Sequence, residues 1–230
     1  MNYIAVSGIS GRMGIAIRKF LDQNPEKYSL LGGMHSRSNL LEIEKLFQEA
    51  NVILDFSITT TLKTLLKNAL LFNKPLLIGT TGYSKEDFTN IVKASKNIAI
   101  FYSPNFSISL NLIADFLSKS KFLLENFDFH ITDIHHRGKK DAPSGSSKYL
   151  KDKIGINISQ NKSISQTSIR IASMMPEHSI LFANNFEQIN IKHKILNYDS
   201  MIKNIFLVLE WFLKKNTGFY NLNDFIKDNS

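Results

Sequence analysis

Asn2-Tyr3-Ile4-Ala5-Val6-Ser7-Gly8-Ile9-Ser10-Gly11-Arg12-Met13-Gly14 is a short apolar strand that runs into a G-x-x-G-x-x-G turn, and a helical pattern follows through about Leu21. Glycines at that spacing permit a tight turn and let a pyrophosphate approach the backbone, while the helix N-terminus behind them favours negative charge. The segment Gly8, Ile9, Ser10, Gly11, Arg12 and Met13 is therefore read as a dinucleotide cradle, the alternative being a purely structural turn. The end of the next strand selects the nucleotide. An acid there would hold the ribose hydroxyls of NAD, but the chain has Met34-His35-Ser36-Arg37-Ser38 and no acid before Glu42. Ser36 and Arg37 suit a 2′-phosphate, so NADPH is expected ahead of NADH.

Working outward, strand-like runs recur at 28–34, 51–56, 75–79 and 97–102, separated by helical patterns at 40–49, 60–72 and 84–96. Ser84-Lys85-Glu86-Asp87 opens the last of these with the residues of a helix cap. Such alternation predicts a parallel α/β sheet. Two more turns fall at the C-terminal ends of strands, where these sheets place ligands. Gly79, Thr80 and Thr81 suit close approach of a ribose or flat ring. Ser103, Pro104, Asn105 and Phe106 offer a donor, an acceptor and an apolar face.

Beyond residue 106 the rhythm changes. A long helix is predicted over 107–124, an alternating strand over 127–135, a short helix from Ser144, and strands near 167–174, 178–184 and 187–195. Successive strands without helices between them indicate an antiparallel or mixed sheet. The expected architecture is thus α/β: a Rossmann-type parallel-sheet domain, residues 1–106 plus about 198–230, and an α+β domain, about 107–197. A final helix is expected over 198–214, with Gly218 as its terminator and residues 155–166 as a soft loop.

The second domain contains His135-His136-Arg137-Gly138-Lys139-Lys140-Asp141-Ala142-Pro143-Ser144-Gly145-Ser146. Imidazole moves protons near neutral pH, cations attract carboxylates, and Ser-Gly-Ser resembles the mouth of a helix with free N–H groups. Together these predict a site for a small acidic substrate that must be protonated.

Composition bounds the alternatives. The chain has 230 residues and no cysteine, which removes disulfides, thiolate metal sites and cysteine nucleophiles and fits a reducing cytoplasm. No secretory leader or membrane span is read: Ile205 to Leu213 is too short and contains Glu210. The net charge of +8 is spread along the chain without a nucleic-acid motif, so no nucleic-acid partner is expected and small polyanions are. No metal site is expected, because carboxylates and histidines do not fall at ligand spacing.

The set GISGRMG at Gly8–Gly14, Asp55-Phe56-Ser57, GTTG at Gly79–Gly82, Asn105-Phe106-Ser107 and HHRGKKDAPSGS at His135–Ser146 resembles, in order and across nearly the whole chain, the 4-hydroxy-tetrahydrodipicolinate reductase family of bacterial lysine and diaminopimelate synthesis. The resemblance implies hydride transfer from NADPH or NADH to a dicarboxylate with a conjugated imine ring. It implies His135 and Lys139 as catalytic acid/base candidates and His136, Ser144, Gly145 and Ser146 as substrate-binding residues, Ser146 standing where Thr is common. It also implies a homotetramer built through the second domain's sheet. His178 is taken as structural or as a support behind the site residues, Arg137 as ordering its loop and Lys140 as solvated. Departures are compact segments after the second strand and around 155–168, and Asn197-Tyr198-Asp199 where the family has an arginine and small residues. The competing readings are a reductase of another imine or carbonyl acid, and a non-catalytic nucleotide sensor.

Overall fold

A computed structural model describes residues 1–35, 38–120, 126–155, 164–197 and 199–229. The chain divides into two units, residues 1–106 with 201–230, and residues 107–200. The first unit opens with β1 (Asn2–Ser7), α1 (Arg12–Asp22), β2 (Tyr28–Met34), α2 (Leu40–Glu49), β3 (Val52–Asp55), α3 (Leu62–Leu71), β4 (Leu76–Ile78), α4 (Lys85–Ala94) and β5 (Ala99–Tyr102). A 3-10 turn at Thr59–Thr61 precedes α3. Two helix starts are fixed by reciprocal caps: Asn39 with Glu42 opens α2, and Ser84 with Asp87 opens α4. α1 differs, because its N-cap is Gly11, no side chain caps it and no acid lies in its first turn.

The second unit holds α5 (Ile108–Lys119), β6 (Asp128–His135), α6 (Gly145–Gly155), β7 (Ser165–Arg170), β8 (Glu177–Ala183) and β9 (Gln188–Lys194). Its four-stranded sheet runs β7-β6-β8-β9, with β6 parallel to β7 and the other pairs antiparallel, a mixed sheet. The parallel pair follows from the α6 crossover between β6 and β7. Phe129, Ile131, Asp133 and His135 alternate onto the buried face of β6. Phe129, Ile131, Ile180 and Phe182 pack there against Leu110, Ala114, Leu150 and Ile154 of α5 and α6.

The chain then returns to the first unit through α7 (Asp199–Phe212), β10 (Gly218–Tyr220) and α8 (Leu222–Asp228). The first sheet is six-stranded and wholly parallel, in the order β10-β5-β4-β3-β1-β2. All four residues of β3 are buried, as befits a strand covered on both faces. Phe47, Leu65 and Ile91 of α2, α3 and α4 fill one core. Phe20 of α1 stacks on Phe206 of α7 at 4.2 Å, and Phe101 of β5 meets Phe212 at 5.9 Å.

Three expectations change. Gly218 does not merely end a helix. It opens an edge strand at φ 157°, and α8 follows, capped by Asn221 and Asp224. The strand expected near 167–174 begins at Ser165 and stops at Arg170, because Ala172 turns the chain at φ 44°. α5 ends at Lys119, while 121–125, most of the 155–166 loop and Tyr198 lie outside the described residues.

Candidate active site

The strand order reverses between β1 and β3, so the loops after those strands flank the switch point at which open α/β sheets bind ligands. The glycine turn is there. Gly8 has φ 82°, and a Cβ on it would lie 2.5 Å from the Phe56 carbonyl oxygen beyond β3. A Cβ on Gly14 would collide with the Gly8 carbonyl and the Ile9 backbone, so α1 starts hard against the turn only because that position is glycine. The Gly8 N–H is spent on the Met34 carbonyl and the Gly11 N–H on the Gly8 carbonyl. Ser10, Gly11 and Arg12 are exposed, and Ile9 and Met13 half-buried. An uncapped helix start behind a glycine cradle fits the pyrophosphate of a dinucleotide.

The neighbouring loops are held from within. Thr80 is buried, and its hydroxyl accepts the Ser57 N–H at 2.9 Å. Asp55, fully buried, accepts from the Ser57 hydroxyl at 2.5 Å and the Tyr83 hydroxyl at 3.2 Å. The Ser103 hydroxyl donates to the Asn105 carbonyl at 2.7 Å, and buried Phe106 packs on Phe56 and Phe101 at 5.7 and 5.8 Å. Thr80, Ser103 and Phe106 therefore shape the loops. Thr81 and Pro104 are exposed, and Gly79 and Asn105 are half-buried. Ser36 and Arg37 lie outside the described residues.

In the second unit, β6 delivers His135 to the head of the cationic turn. The His135 side chain is 8% exposed, and its Nδ1 lies 3.6 Å from Oδ2 of the fully buried Asp133 without a hydrogen-bond partner. Burial, then the Lys139 charge, hold His135 below the ordinary imidazole range, opposed by Asp133. Lys139 pairs with Asp141 at 2.8 Å, while Arg137 and Lys140 are exposed and His136 half-buried. Ser144 caps α6: its hydroxyl accepts the Ser147 N–H at 3.1 Å, and its own N–H donates to Asp133 at 2.8 Å. Gly145 is exposed, and a Cβ on it would meet nothing within 4 Å, so the start of α6 faces open space there. Ser146 is half-buried beside it.

His178 was read as a supporting residue from the sequence, whereas Asp133, Arg170 and His193 escaped sequence reasoning. Arg170 of β7 grips Asp133 through both terminal nitrogens, at 3.2 and 3.1 Å, and donates to the Asp141 carbonyl at 2.7 Å. Burial alone would push the Asp133 carboxyl up, but the bonds from Arg170, Ser168 and Ser144 outweigh it and hold it well below the usual carboxylate range. His178 and His193 extend a row of rings from His135, with centroids 5.4 and 5.9 Å apart. His193 is tied to the Ser107 and Ser109 hydroxyls at 3.2 and 3.1 Å. Burial, then His135 and His193, push His178 down to about 4. Asp133 could have been found, since it shares the buried face of an alternating strand with His135. Arg170 could not, because its partner is remote in sequence. Among the described residues no group of three or more histidines and carboxylates is arranged to hold a metal ion.

A parallel sheet with a glycine turn at its switch point, interrupted by a mixed-sheet unit, defines a Rossmann-type α/β protein with an inserted second domain. The N-terminal model of the dihydrodipicolinate reductase family matches residues 2–106, and its C-terminal model residues 109–226. The chain belongs to that family. It is 32% identical over 237 residues to the 4-hydroxy-tetrahydrodipicolinate reductase of Rickettsia bellii, covering 98% of this chain and 94% of that one. It is 35% identical over 208 residues to that of Buchnera aphidicola subsp. Cinara cedri, covering 82% and 76%. Among solved structures, dipicolinate-bound dihydrodipicolinate reductase from Paenisporosarcina sp. TG-14 shares the fold at a TM-score of 0.81, with 19% identity and coverage of 96% and 97%.

Proposed function

We propose that this chain reduces 4-hydroxy-tetrahydrodipicolinate with a pyridine nucleotide in lysine and diaminopimelate biosynthesis. The observation that carries the proposal is the turn after β6, where a buried imidazole, a lysine and an open helix start lie within one short segment. Family membership and the similar enzymes' names support the substrate. In this reading the first unit is the dinucleotide-binding domain and the second holds the acid.

A bound nicotinamide supplies the hydride. Gly8–Met13 cradles the pyrophosphate, and Gly79–Thr81 with Ser103–Phe106 lines the nucleotide from the adjoining strand ends. In the second unit, Lys139 and the start of α6 at Gly145 and Ser146 clamp a carboxylate by charge and hydrogen bonds, buried Ser144 holds that helix start in place, and His136 helps seat the acid. His135 has Nδ1 turned to Asp133, which leaves Nε2 to exchange a proton with substrate and quench the charge left by hydride addition.

NADPH is the proposed preferred donor, on Ser36 and Arg37. Homo-oligomerisation as a tetramer and a cytoplasmic location are proposed from the family resemblance. No described helix is long and apolar enough to cross a membrane.

Turnover coupled to the enzyme that makes the unstable substrate, with NADPH and NADH side by side, tests the proposal. Nucleotide oxidation should require fresh substrate and be inhibited by pyridine-2,6-dicarboxylate. Nucleotide binding without turnover on this or any related cyclic imine acid would instead mark a sensor.

A further inference from the structure

We propose that Arg170 and Asp133 are a positioning pair that sets both halves of the acid site at once, the imidazole of His135 and the start of α6. The inference rests on the reading of the His135–Ser146 turn as a proton-donating carboxylate site.

One carboxylate and one guanidinium make every connection. Asp133 spends Oδ2 on the Ser144 N–H at 2.8 Å and presents the same oxygen to His135 Nδ1 at 3.6 Å. Arg170 holds both oxygens of that carboxylate and also donates to the carbonyls of Asp133, Ile169 and Asp141, at 3.3, 2.9 and 2.7 Å. Strand β7, strand β6, the middle of the cationic turn and the cap of α6 are thus pinned to a single planar fork, a geometry no ammonium reproduces.

The pair contributes to folding, since its bonds hold the Asp133 carboxyl below the usual range, but it is not fully satisfied. Asp133 is fully buried, and Arg170 Nε is buried with no hydrogen-bond partner. A buried ion pair with an unsatisfied donor gains little over an apolar pair of the same volume. Its geometric effect is large, because catalysis is sensitive to displacement of a reacting group by as little as 1 Å. The carboxylate also opposes the groups that disfavour an imidazolium at His135: Lys139 from the turn, Arg170 from β7, and burial itself. Asp141 of the turn acts with it, and His178 of β8 and His193 of β9 complete the surroundings.

The test uses Asp133→Asn and Arg170→Lys in the full chain. In each, kcat should fall about ten- to a hundredfold while KM for the nucleotide stays unchanged. The His135 imidazole, followed by NMR in the protein without ligands, should titrate at lower pH in Asp133→Asn than in the parent. If Asp133→Asn does not fold, Arg170→Lys, which keeps the charge, decides the matter. Unchanged kcat and pH profile in a folded variant would overturn the proposal, as would a loss confined to thermal stability. The ligand-free titration separates it from the functional reading: a parent chain with no turnover sinks that reading, whereas an unmoved His135 titration in Asp133→Asn sinks the positioning pair alone.

Discussion

Lys139 Nζ lies 2.8 Å from Asp141 Oδ1, so the cation proposed to clamp the substrate already holds a carboxylate from its own turn. The Asp141 carboxyl is kept below its usual range first by that lysine and also by the Gly145 N–H at the start of α6. An arriving carboxylate competes with Asp141 for both donors. Asp141→Asn should tighten pyridine-2,6-dicarboxylate binding in calorimetry by up to about fivefold, the worth of a half-exposed ion pair. Lys139→Ala should weaken it, and weaker binding by Asp141→Asn would show that Asp141 serves the substrate.

His135 is held down by burial and by Lys139, so it is largely neutral at neutral pH in the protein without ligands. A bound dicarboxylate adds negative charge beside it and favours the imidazolium. Binding of pyridine-2,6-dicarboxylate near pH 7.5 should therefore take up protons, seen as a dependence of calorimetric heat on buffer ionisation enthalpy. His135→Gln should abolish the uptake; uptake that persists in that variant would place the proton elsewhere.

Burial and the neighbouring imidazoles push His178 down to about 4 in the folded chain, against about 6.5 for an imidazole in the unfolded chain. Between those values the unfolded state binds more protons, so folding stability is full above about pH 6.5 and falls as pH drops towards 4, by on the order of 3 kcal/mol. Urea midpoints at pH 7 and 4.5 should reveal the loss, and His178→Gln should flatten it. An equal slope in that variant would assign the acid sensitivity to other groups.

Gly14→Ala forces a Cβ into the Gly8 carbonyl and Ile9 backbone, and should cost about 1–3 kcal/mol of stability with loss of nucleotide affinity. Gly145→Ala meets open space and should leave thermal unfolding unchanged. Melting curves with and without NADPH check both. A stable Gly14→Ala variant with normal nucleotide affinity would remove the close approach of α1 from the account of the cradle.

Much of this was legible because it is periodic or local. The strand, glycine turn and helix at 2–21 announce a parallel sheet by themselves, and the alternation from Phe127 to His135 fixes which side chains face inward. What stayed hidden depends on distant pairing. β10 is three residues long, too short for a period, and exists as a strand only because it pairs with Ala99–Phe101. Arg170 ends a strand that was expected near 167–174, but its importance comes from the register that sets it opposite His135. Thr80 and Ser103, expected as ligand contacts, also hold loops in place, which no local pattern announces: Thr80 accepts the Ser57 N–H beyond β3, and Ser103 donates to Asn105 of its own loop.

The edge strand β10 has a consequence for synthesis. Its residues 218–220 close a sheet whose other strands end at Tyr102, and between them the chain makes the whole of the contiguous second unit. As the polypeptide emerges from the ribosome, the inserted unit is complete while its host still lacks β10 and the cover of α7 and α8. The first part of the gene thus encodes the domain that finishes assembling last.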